Sequence, residues 1–211
     1  MATIDCKVVL LGSPSVGKTC LLERYLHGQF SNNTQATIAG SFAAKKEVLQ
    51  NVSVVLGCWD TAGSERYASI SRMYYRNARA AIVCFDLTDR STYENARHWV
   101  SELLAEEQDC KVYFCGTKLD LVVDKPDLRQ VDKKRAQELA HDLQTDYFET
   151  SSKTGENIEP LFKKIAKDYS VWESNDVCSR LNVNDSIKIH QSSWKNDPRV
   201  RREGESGCCI R

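Results

Sequence analysis

The octapeptide Gly12-Ser13-Pro14-Ser15-Val16-Gly17-Lys18-Thr19 constrains this chain more than any other feature. It fits G-x-x-x-x-G-K-[ST], follows the apolar run CKVVLLG from Cys6 and opens a segment of helical period. A strand, a tightly wrapped loop and a helix N-terminus accommodate that pattern. The glycines permit the wrap, and the amides then point inward at anionic oxygen. In such a loop Lys18 reaches the outer groups of a phosphate chain and the Thr19 hydroxyl ligates magnesium, with Ser15, Val16 and Cys20 completing the cradle. Pro14 removes one N–H and stiffens the loop beside the outermost phosphate. A glycine-rich turn without a ligand is the bland alternative, and the flanking strand and helix oppose it.

Around this unit, short apolar runs alternate with periodic segments. Strands are expected from Cys6, Ser41, Val52, Ala80, Lys111 and Asp146; several are continuously apolar, as central parallel strands covered on both faces are. Helices are expected over Lys18–His27, Ser91–Glu107, Asp132–Leu143 and Asn157–Trp172, with a shorter one near Ser69–Tyr75. Ser91 and Glu94 have the spacing of a capping box. Only Gln50-Asn51 separates the second and third strands, which suits a hairpin. The expected fold is α/β: a six-stranded, mostly parallel sheet with one antiparallel edge strand and helices on both faces. Ligands on such sheets sit beyond the carboxyl ends of the strands. From Glu173 the periodicity stops, so residues 1–172 form the expected domain and 173–211 a flexible tail.

Composition narrows the function. Of the 211 residues, 29 are Lys or Arg and 29 Asp or Glu, so nothing global argues for a nucleic-acid polymer as partner. The nine cysteines lie mostly singly within apolar runs, with no apolar N-terminal signal, which favours buried reduced thiols and a cytosolic protein. No apolar run is long enough to span a bilayer, so membrane contact requires an anchor. His27, His98, His141 and His190 are scattered, without transition-metal spacing.

With Asp60-Thr61-Ala62-Gly63 closing a further strand, the chain resembles the Ras-superfamily small GTPases. The pieces WDTAGSERY, MYYRNA, FDLTD and a terminal CC narrow the resemblance to the Rab family. Ser64 in AGSERY, Thr117 in GTKLD and Ser152 in ETSSK resemble a divergent, autophagy-associated branch of it. The resemblance implies the P-loop small-GTPase fold, GTP and GDP as cofactors with magnesium, and a monomer. It implies that Thr37 senses the γ-phosphate and magnesium, that Asp60 holds magnesium through a water, and that the Gly63 amide touches the γ-phosphate. Ala39 stands where the family's glycine does, and Gly40 is expected to supply the flexibility instead. An ordinary loop hydroxyl at Thr37 and a strand-end cap at Asp60 are the alternatives.

Thr117, Lys118 and Asp120 are expected at a strand's carboxyl end. Asp120 can accept from the N1–H and 2-amino group of guanine; adenine has neither donor. The Lys118 stem covers one face of the base in this reading. Phe30 flanks it or closes the core. Ser151, Ser152 and Lys153 match the family's second base-contacting loop. Thr117 replaces an asparagine and carries one donor where the amide has two, so a contact to the base or to the phosphate loop should weaken. Ser64 replaces the glutamine that orients the attacking water, which implies weak intrinsic hydrolysis.

The resemblance also places Phe42, Trp59 and Tyr74 in the aromatic trio that effectors read; the alternative is ordinary core. Cys208 and Cys209 resemble a double prenylation site, against two unmodified tail thiols. The implied partners are an exchange factor, a GTPase-activating protein, a prenylation escort, a GDP-dissociation inhibitor and switch-region effectors. The implied location is the cytosol and the cytoplasmic face of endomembranes (autophagosome, ER or perinuclear). The competing function is a pseudo-GTPase scaffold that never cycles. An ATP-using P-loop enzyme is disfavoured by Asp120.

Overall fold

The computed structural model describes residues 2–32, 35–37, 40–62 and 74–194, with side chains through Asp176. The chain divides into two compact units, Met1–Ser170 and Val171–Arg211. In order, the elements are β1 (Ala2–Leu11), α1 (Lys18–His27), β2 (Ser41–Val48), β3 (Val52–Asp60), β4 (Ala80–Asp86), α2 (Arg90–Glu106), β5 (Lys111–Thr117), α3 (Leu119–Asp124), α4 (Lys133–Asp142), β6 (Asp146–Glu149) and α5 (Ile158–Trp194).

The six strands form one sheet in the order β2-β3-β1-β4-β5-β6. β2 pairs antiparallel with β3, and every other pairing is parallel. Leu49 N–H donates to Val52 O at 2.9 Å, closing the hairpin over Gln50-Asn51. The expected sheet is therefore the one that forms. Because side chains alternate along a strand, β1 feeds two cores at once. Cys6, Val8 and Leu10 pack with Leu21, Leu22 and Tyr25 of α1 and with Leu161, Phe162 and Ile165 of α5. Val9 and Leu11 join the opposite core, with Ala96, Trp99 and Leu103 of α2, Val122 of α3 and Ala136 of α4. Burial on both faces explains why the central strands read as unbroken apolar runs. Cys6, Cys58, Cys84, Cys110 and Cys115 are buried and free, and burial pushes the thiols of Cys6, Cys58 and Cys110 up to about 12.

Several local expectations need correction. The N-cap of α2 is Asp89, not Ser91: the Asp89 carboxylate accepts from Ser91 N–H at 2.9 Å and from Ser91 Oγ at 2.7 Å. A charged acceptor outcompetes a hydroxyl there, and Glu94 turns instead to Arg90 and Arg97. β1 begins four residues before Cys6, as a partner for β3 from Val52 onward. Helical backbone continues to Trp194, past Trp172, because residues 173–194 contain neither Gly nor Pro to stop it. The short helix expected near Ser69–Tyr75 lies mostly outside the described residues.

At the far end of β6, Glu149 is held by Arg129 at 2.8 and 3.0 Å and by the Tyr147 hydroxyl at 2.7 Å. Burial pushes the Glu149 carboxyl up, but the Arg129 fork and the Tyr147 hydroxyl outweigh it and hold it below the ordinary range. The stabilisation is thus present above the unfolded pKa and is lost as pH falls through the lowered folded value. Arg129→Met should cost about 3 kcal/mol at neutral pH by denaturant titration, since it strands a buried charge. That cost should shrink in acid, and the double variant with Glu149→Gln should recover most of it. An equal cost at all pH values would count against the pairing.

Candidate functional site

The loop between β1 and α1 takes a conformation that side chains resist. Gly12 has φ 135° and Gly17 φ 98°, and Ser15, at φ 62°, is also left-handed. A Cβ on Gly12 would stand 2.2 Å from the carbonyl oxygen of Cys84, so only glycine lets the loop lie against β4. Alternating handedness turns successive amides inward as an anion nest. Lys18 crosses the loop almost fully buried, and its Nζ donates to Gly12 O at 2.8 Å and Ser13 O at 3.0 Å. Burial lowers its pKa, so a nearby anion is the complement this ammonium favours.

Asp60, fully buried at the end of β3, gathers the hydroxyls of two separate segments. Thr19 Oγ donates to Asp60 Oδ2 at 2.6 Å, Thr37 Oγ lies 3.4 Å from the same oxygen, and the two threonine oxygens are 2.8 Å apart. Asp60 Oδ1 is buried without a hydrogen-bond partner among the described residues. Burial pushes this carboxyl up against the lowering by Thr19, Lys18 and Thr37. An orphaned carboxylate oxygen beside two hydroxyls is a hard-oxygen donor set, and it fits magnesium. Thr19, Thr37 and Asp60 are therefore together in space.

A cavity of about 570 Å³, a size typical of small-molecule sites, runs from this cluster to the loops after β5 and β6. Its lining includes Ser15, Gly17, Cys20, Phe30, Thr117 and Lys153. Phe30 is 36% exposed, so it stands at the cavity and does not close the core. Asp120 Oδ1 accepts from Ser151 Oγ at 2.6 Å, which ties the loops after β5 and β6 together. Lys118, left-handed at φ 61°, places its Nζ 2.6 Å from Asp86 Oδ2. Thr117 Oγ reaches Val16 O at 2.6 Å and Phe85 O at 2.9 Å, sharing one proton between them. The bond to the phosphate loop is thus kept despite the missing amide.

Phe42, Trp59 and Tyr74 are contiguous: ring centroids are 5.0 Å apart for Phe42–Trp59 and 6.1 Å for Trp59–Tyr74. Phe42 is 57% exposed, so the trio is not simply core. A Cβ on Gly40 would meet the Tyr74 ring at 2.7 Å, and the Tyr74 hydroxyl accepts from Gly40 N–H at 3.3 Å. The close approach of Tyr74 is a steric reason for glycine at this position. Gly63, Ser64, Ala39, Cys208 and Cys209 lie outside the described residues. Asn95, whose amide donates to Ser13 Oγ at 3.1 Å, and Arg24 were not legible as site residues, since neither belongs to a local motif.

The Ras family model matches residues 7–170, spanning the phosphate loop, the Asp60 cluster and the loops after β5 and β6. The chain belongs to the Ras family, in its Rab branch. The chain is 42% identical over 207 residues to "Ras-related protein Rab-24" of Dictyostelium discoideum, covering 98% of both chains. It is 40% identical to "Ras-like GTP-binding protein RYL2" of Yarrowia lipolytica over 78% of this chain and 81% of that one. It is 41% identical to "GTP-binding protein ypt5" of Schizosaccharomyces pombe over 79% of each. The Ras-type sheet, with its one antiparallel pair, accords with this membership.

Proposed function

We propose that this Rab-branch protein is a guanine-nucleotide switch of vesicle and autophagic traffic with slow intrinsic GTP hydrolysis. The observation that carries it is the convergence of Thr19, Thr37 and Asp60 at one end of a cavity whose other end holds Asp120. Thr37 comes from a loop, so its engagement at this cluster is the natural sensor of an outermost phosphate. Lys18 and the backbone N–H groups of residues 12–19 other than Pro14 bind the phosphate chain and favour its negative charge. Thr19, Thr37 and Asp60 are the residues that hold magnesium, which supplies charge neutralisation on the phosphate oxygens. Asp120 selects guanine, the Lys118 stem and Phe30 flank the base, and the loop of Ser151, Ser152 and Lys153 meets the guanine oxygen.

Hydrolysis needs a water held in line with the γ-phosphate. Ser64 is too short to orient it directly, which supports a slow cycle. Ser64→Gln should raise the single-turnover rate about tenfold, within the range of a lost positioning contact. An unchanged rate would remove Ser64 as the cause. Attachment through lipids on Cys208 and Cys209 belongs to the same reading: two chains anchor stably where one is marginal. With it go an exchange factor, a GTPase-activating protein, a prenylation escort and a GDP-dissociation inhibitor. Effectors read Phe42, Trp59 and Tyr74, and the protein works between cytosol and the cytoplasmic face of endomembranes.

A further inference from the structure

Arg24 lies two turns into α1, the helix that the phosphate loop opens. Its Nε donates to Ser152 O at 2.6 Å, one terminal nitrogen donates to Lys153 O, and the other donates to Gly28 O at 2.5 Å. One planar fork therefore holds consecutive carbonyls of the loop after β6 and the carbonyl of the residue that ends its own helix. Gly28 is left-handed at φ 67°, and its N–H returns to Arg24 O at 3.0 Å, so the helix end that carries the guanidinium is itself fixed.

The consequence follows from peptide geometry. All described peptides are trans, so each N–H points opposite to the preceding carbonyl. With the Ser152 carbonyl turned toward Arg24, the Lys153 N–H faces away from α1. Ser152 and Lys153 both line the cavity. The neighbouring Thr154 N–H is already engaged by Ser151 Oγ at 3.1 Å, which leaves the Lys153 amide as the one that Arg24 sets. Asp120 and Ser151 fix the start of the loop, and Arg24 fixes its middle.

We propose that Arg24 is a positioning residue for base recognition: by gripping the Ser152 and Lys153 carbonyls it aims the Lys153 N–H at the 6-oxo group of guanine, and it ties that aim to the helix carrying the phosphates. The proposal rests on the guanine-nucleotide reading above. Lysine is no substitute, because an ammonium on a flexible stem cannot span the carbonyls as a rigid fork does.

The test is a cycle between residue and ligand, using the full chain in magnesium buffer. Binding of GDP and of 6-thioguanosine diphosphate is measured for wild type, Arg24→Ala and Arg24→Lys. The thio compound keeps the N1–H and the 2-amino group but offers sulfur, a weak acceptor, at position 6. Wild type should favour GDP. Arg24→Ala should lose about tenfold for GDP and under about twofold for the thio compound, the size of one well-made hydrogen bond. Arg24→Lys should fall between. Because the readout is a ratio within one variant, general loss of stability does not imitate it. Equal losses for both nucleotides, or none for GDP, would overturn the proposal alone. A wild type that held both nucleotides equally would remove the base-loop assignment, and this proposal with it.

Discussion

Asp120→Asn should lower affinity for guanine nucleotides about a thousandfold, ~4 kcal/mol, and turn preference toward xanthine nucleotides. The Asp120 side chain is only 10% exposed, and Ser151 Oγ already donates to its Oδ1 at 2.6 Å, so its orientation is set before any base arrives. A carboxylate accepts from both the N1–H and the 2-amino group. An amide in its place sets a donor against a donor in a poorly hydrated site, where an unmade bond is most costly. Xanthine carries an oxygen where guanine carries the amino group, and so complements the amide. The fold should survive, because Ser151 can still donate to the asparagine oxygen. Competition between GDP and xanthosine diphosphate reads the result directly. Retained guanine preference would mean that the base end of the cavity lies elsewhere.

The second large effect is expected at Asp60. Asp60→Asn should weaken GTP binding in magnesium about a hundredfold, and addition of EDTA should then make little further difference. Only a carboxylate among the three converging groups carries charge, so its removal takes away the site's attraction for a divalent cation. A separate signature needs no nucleotide. Burial raises the Asp60 carboxyl in the folded protein against its three polar neighbours. A raised carboxylate costs stability above its unfolded pKa, and the cost is relieved as pH falls through the folded value. Metal-free wild type should therefore gain stability relative to Asp60→Asn as the pH is lowered through the carboxylate range. Magnesium with nucleotide should flatten that gain by satisfying the charge at neutral pH. A difference that stays constant with pH would mean that Asp60 is not penalised by burial.

How far the site could be read from residues alone depended on whether its logic is local. The phosphate loop is local: glycine spacing, a preceding apolar run and a following helical period stand side by side, and Gly12 sits where β4 leaves no room for a side chain. The sheet was equally readable, since two-sided burial leaves a continuous apolar signature in β1, β4 and β5. The convergence of Thr19, Thr37 and Asp60 needed the family resemblance, because three segments far apart in the chain meet there. Helix ends were read less well. Asp89 rather than Ser91 caps α2, a contest between a carboxylate and a hydroxyl two residues apart. Short α3 was missed, since it starts from the left-handed backbone of Lys118 and not from a capping side chain. Arg24, Asn95 and the Arg129–Glu149 pair left no trace, because each acts across elements through a contact without period or motif. Thr117 was half legible: its lost donor follows from its chemistry, but which contact survives depends on Val16 standing 2.6 Å away.

The most direct measurement is of what the protein carries. Purified full-length protein, kept in magnesium and then denatured, should release guanine nucleotide in amounts matching the chain, identified by chromatography against standards. An empty protein, or one that released adenine nucleotide, would contradict the account.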